Sequence, residues 1–74
     1  MSEAEQRFAR VVGRRLRDAR IEHGVSVFEL ARLADVTADR LKAFEVGAEG
    51  RTPSLRVLYR IARALGVDAR ELMP

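Results

Sequence analysis

The sequence has 74 residues, formal net charge +3, no cysteine and no tryptophan. That length makes one small domain, and the missing thiols exclude both a disulfide framework and a thiolate metal site. No apolar run approaches the roughly 18 residues of a membrane span, and Met1 to Arg10 lacks the apolar segment of a signal peptide, so a soluble, cytoplasmic chain is expected.

In chain order, Ser2 with Glu5 has the form of a capping box that opens a first helix. This helix carries Phe8, Val12, Leu16 and Ala19 on one stripe, is weakened by the internal Gly13, and is stopped by Gly24 after His23. Ser26 with Glu29 repeats the capping signature before a short helix bearing Leu30, Ala31 and Leu33. Ala34, Asp35 and Val36 form a tight connection. Thr37 is a good N-cap for a third helix with Leu41 and Phe44, ended by Gly47. Residues 48 to 53 read as a loop. Ser54 caps a fourth helix carrying Leu55, Leu58, Ile61, Ala62 and Leu65, stopped by Gly66. Asp68 with Glu71 opens a short fifth helix ending at Leu72 or Met73. The expected fold class is all-α: a compact five-helix domain over residues 1–74.

The informative segment is Ser26 to Gly47. About three residues join its two short helices, too few for an antiparallel hairpin, so the helices should cross steeply as a helix-turn-helix over about 26–46. Asp35 falls where a left-handed residue is often needed, and Asp tolerates that backbone better than most residues. At about 100° per residue, Leu41, Phe44 and Glu45 cluster on the inner side of the third helix. Asp39, Lys42, Ala43 and Val46 fall on the opposite arc, with Ala38 and Arg40 at its edges.

Several stretches, taken together, resemble the Cro/repressor (lambda-repressor-like, xenobiotic-response-element) helix-turn-helix family. They are Val12-Gly13-Arg14-Arg15-Leu16-Arg17, Arg20 to Ser26, Glu29-Leu30-Ala31, Val36-Thr37, Phe44-Glu45-Val46-Gly47, Pro53-Ser54-Leu55 and Ile61 to Val67. The resemblance implies a lambda-repressor-like DNA-binding domain whose recognition helix, residues 37–46, lies in the major groove of double-stranded DNA. It implies base-edge contacts from Ala38, Asp39 and Ala43. It implies phosphate contacts from Ser26, Val27, Arg40 and the loop near Arg51 and Thr52. Thr37 and Ser26 sit at helix N-termini that favour phosphate, and Lys42 and Arg40 are the cations of the recognition helix. The resemblance also pairs Arg20 with Glu45 as a structural ion pair, which suits an inward-facing carboxylate that needs a partner.

The chain departs from the family pattern at named positions. Valine stands at 27 where a glutamine is usual. Ala38 and Ala43 replace hydrogen-bonding residues, and Asp39 brings a negative charge to the outward face. The loop containing Ala48, Glu49 and Gly50 is about two residues longer than the commonest version. Residues 25–46 hold three cations and four anions, a net −1, while the flanks carry the basic surplus. Thirteen of the 14 cations are arginine, which suits phosphate contact and equally suits a G- and C-rich genome. Two functions follow. One is a sequence-specific transcriptional regulator, a homodimer on a pseudo-palindromic operator, with dimerisation suggested by the apolar end Val67, Leu72 and Met73. The alternative is a protein-interaction or antitoxin-like module that keeps the fold with weak or no DNA readout. No catalytic constellation, cofactor site or effector-binding segment is evident, so the expectation is a non-enzyme.

Overall fold

A computed structural model describes residues 1–74, and every ordered element in it is helical. Four α-helices run over Glu3–Glu22 (α1), Val27–Ala34 (α2), Ala38–Val46 (α3) and Leu55–Leu65 (α4). Two single 3₁₀ turns complete the chain, at Ala48–Gly50 and Ala69–Leu72. The expected fifth helix is therefore corrected to a 3₁₀ turn. Asp68 accepts from the backbone N–H of Arg70, two residues on, at 2.9 Å. That tight local bond closes one turn and favours i to i+3 pairing over an α-helical start.

The caps are set by short polar side chains. Ser26, Thr37 and Ser54 each accept from the N–H three residues on, at 3.1, 3.2 and 3.2 Å. Ser2–Glu5 and Asp68–Glu71 close reciprocal capping boxes. The box expected at Ser26–Glu29 is only half made, because the Glu29 carboxylate turns forward to Arg32. The Ser26 N–H is left without that side chain as a partner.

Leu16, Leu30, Leu41, Ile61 and Leu72 are fully buried and bring all four helices and the last turn onto one core. The first helix buries Ala9, Val12 and Leu16, while Phe8, expected on that stripe, lies largely exposed. On α2 the inner set is Leu30, Ala31 and Ala34, with Leu33 outward. The C-terminal Leu72 is a core residue, and Val67 and Met73 pack half-buried against it. Leu72 is thus spent inside the monomer, while Val67 and Met73 keep part of their apolar surface exposed.

Gly13 does more than weaken α1. A Cβ there would come within 2.6 Å of the Glu45 carbonyl oxygen and closer still to that of Phe44. The backbones of α1 and α3 therefore touch at this point, and only hydrogen fits between them. That contact sets the angle at which α3 leaves the globule.

Candidate nucleic-acid interface

The turn between α2 and α3 depends on Asp35, whose φ of 55° and ψ of 51° are left-handed. Its neighbour Val36 donates to the Ala31 carbonyl at 3.0 Å, closing the end of α2. The chain then re-enters a helix at Thr37 with no more than three residues between the two elements. This is the short connection expected from the sequence.

The third helix is held from beneath by Leu41 and Phe44, which are 0% and 5% exposed. Its other side carries exposed Asp39, Arg40, Lys42 and Val46, with Ala38 and Ala43 half-buried between them. The outward arc deduced from helical phase is thus the arc that faces solvent. Arg40, Ala43, Phe44, Arg51 and Thr52 line a cleft of about 290 Å³. Two guanidinium groups and a hydroxyl beside one concave surface suit a phosphate group. The long loop reaches this place through left-handed residues at Gly47, Glu49 and Gly50. A salt bridge of 3.5 Å ties Arg51 loosely to Glu49.

Behind the helix, Arg20 meets Glu45 in a bidentate pair. Its Nε and Nη2 donate to the two carboxylate oxygens at 2.7 and 3.1 Å, and its Nη1 donates to the Val25 carbonyl at 2.9 Å. The side chains are 15% and 7% exposed. The hydrogen-bonded Glu45 carboxylate raises the pKa of Arg20 above its ordinary value. The pair joins the end of α1, the α1–α2 connection and α3.

The charges of the motif sort themselves in the same way. Glu29 is spent on Arg32 and Glu45 on Arg20, whereas Asp35 and Asp39 form no salt bridge. Of the recognition helix's charged groups, Arg40 and Lys42 stand against the free carboxylate of Asp39.

Ser26 and Thr37 are exposed at helix starts, as the sequence suggests. Val27 packs half-buried against the core. The apolar side chain that α2 does present to solvent in its first turn is Phe28, whose ring centre lies 4.8 Å from the Lys42 ammonium. Sequence inspection misses Phe28. The available signal is an aromatic residue standing outside the buried set Leu30, Ala31 and Ala34.

A helix-turn-helix family model matches residues 16–72. Among solved structures, the chain is similar to the restriction-modification controller protein C.AhdI from Aeromonas hydrophila. The two share 32% identity over 88% of this chain and 96% of that one, with a TM-score of 0.81. It is similar to the DNA-binding domain of BldD at 26% identity, with 100% of each chain covered and a TM-score of 0.79. It is also similar to part of HppE, in a cobalt form with Tris buffer, at 30% identity. There the match covers 90% of this chain and 37% of that one, with a TM-score of 0.79. No curated protein matches the chain.

Proposed function

The chain belongs to the Cro/repressor-type helix-turn-helix family, and from that premise we propose that it is a sequence-specific transcriptional regulator of duplex DNA. One observation carries the proposal. The third helix stands out from the globule, with Leu41 and Phe44 locked inward and Asp39, Arg40, Lys42 and Val46 turned to solvent. A single α-helix fits the major groove, which is about 12 Å wide. The likeness to a restriction-modification controller protein and to a DNA-binding domain supports this reading. The match to HppE covers a minor part of that chain, and nothing of the remainder is carried over.

In this reading Ala38 and Ala43 offer methyl groups to thymine, and Asp39 accepts from the exocyclic amine of cytosine. Arg40, Arg51 and Thr52 converge on one phosphate, and Lys42 meets another. Ser26, Val27 and Thr37 contribute at helix starts, Val27 through its backbone N–H because its side chain faces the core. Arg20 and Glu45 brace the helix without reading bases.

It binds as a homodimer on half-sites about 34 Å apart. The surface that supports pairing is on α4, where Leu55 and Tyr59 are 77% and 57% exposed one turn apart. A second copy would cover them. Sedimentation that finds only monomer at high micromolar concentration removes the dimer from the account.

Selection of bound duplexes from a random library at near-physiological salt tests the function. The expected result is an enriched inverted repeat. The unpaired Asp39 on the outward face supports a second reading, a protein-interaction module on the same fold, and a library with no enrichment favours it.

A further inference from the structure

The cations of the recognition helix both stand over aromatic rings. The Arg40 guanidinium carbon is 5.8 Å from the Phe44 ring centre, and the Lys42 ammonium is 4.8 Å from that of Phe28. Phe44 is a core residue, and its position follows from packing alone. Phe28 has no such explanation. It is 64% exposed, in the first turn of α2, and stands outside the buried core.

Lys42 is equally informative. Asp39 lies three residues earlier on the same helix, at a spacing that permits an ion pair. Lys42 makes no salt bridge and lies on the Phe28 ring instead. The negative face of a phenyl ring attracts an ammonium within about 6 Å. An ammonium carries three donors, so one side can rest on the ring while the other donates outward.

We propose that Phe28 is a positioning residue for DNA binding: its ring holds the Lys42 ammonium at the rim of the recognition face, where it meets a backbone phosphate. The inference rests on the DNA-binding function proposed above. A lysine on a free, flexible stem loses much rotamer freedom when it pairs with phosphate. One already laid across a ring loses less, and it is also kept off Asp39. The contact thus reaches DNA through Lys42 and adds to affinity on every sequence.

Anisotropy titrations of an enriched duplex over a series of salt concentrations test this, with wild type, Phe28→Leu, Phe28→Trp, Lys42→Ala and the double variant Phe28→Leu/Lys42→Ala. Phe28→Leu keeps an apolar side chain without a ring and should weaken binding about three-fold. Phe28→Trp, the strongest partner for a cation, should bind at least as tightly as wild type. Lys42→Ala should flatten the salt slope by about one unit. In that background Phe28→Leu should have no further effect. Wild-type affinity for Phe28→Leu overturns the proposal, as does an equal loss with and without Lys42. Thermal melting of each variant separates misfolding from lost positioning. Wild type that binds no duplex at all defeats the DNA function and this inference together. Wild type that binds while Phe28→Leu matches it defeats this inference alone.

Discussion

Arg20 and Glu45 lie 25 residues apart in sequence and share two parallel hydrogen bonds of 2.7 and 3.1 Å. Both side chains are largely removed from water, so neither charge can be left without the other at small cost. The pair fixes α3 against the end of α1 and accounts for how a nine-residue helix keeps its orientation while half its surface faces solvent.

Breaking that pair from one side should be costly. Glu45→Gln or Arg20→Met leaves a half-buried charge unpaired, and a loss of about 2–3 kcal/mol is expected, below that of a fully buried pair. Urea denaturation of the two single variants and the double variant measures it. The double variant should lose less than the sum of the singles, because the removed partner no longer strands the other.

Gly13→Ala tests the close approach of α1 and α3. On an isolated helix this change stabilises by about 1 kcal/mol. Here the added carbon meets the carbonyl oxygens of Phe44 and Glu45, which are backbone and cannot swing aside. The protein should melt lower, not higher, and should lose DNA affinity as α3 tilts.

A pH prediction comes from Asp68. The Arg70 side chain, together with the Arg70 backbone N–H, lowers its pKa from 3.8 to about 2. The carboxylate therefore binds its proton more weakly in the folded chain than in the unfolded one. Its contribution is complete above the unfolded pKa and disappears as pH falls through the folded one. Asp68→Asn should cost the same stability at pH 5 and pH 7, and the difference from wild type should shrink from about pH 4 and be lost only as pH falls below about 2.

The outward residues should separate grip from readout. Arg40→Ala should weaken binding on all sequences and flatten the salt slope by about one unit. Asp39→Ala should change base preference within the selected site while tightening nonspecific binding, since it removes an unpaired carboxylate from the outward face of α3. A repeated selection with that variant, showing the wild-type site unchanged, would remove Asp39 from base reading.

Features that depend on a few neighbouring residues were legible in the sequence. The caps at Ser2, Ser26, Thr37 and Ser54 and the left-handed Asp35 follow from local hydrogen bonding and backbone sterics. The Arg20–Glu45 tie was legible through the family resemblance and the inward phase of Glu45. What failed to show needed the third dimension. The choice between Phe8 and Ala9, or Leu33 and Ala34, turns on which side of an apolar stripe meets the next helix. Leu72 joins the core only because the last turn folds back beneath α4, and Asp68 shortens that turn to 3₁₀. Phe28 gains meaning only when α3 lays Lys42 across it, and Gly13 only when a carbonyl arrives where its side chain would be.

The most direct test of the account is an NMR titration of the folded protein with a selected duplex. Amide signals from Thr37 to Val46, from Ser26 to Phe28 and from Arg51 and Thr52 should shift together at stoichiometric DNA. Binding whose shifts fall only on α4, with the third helix untouched, would contradict it.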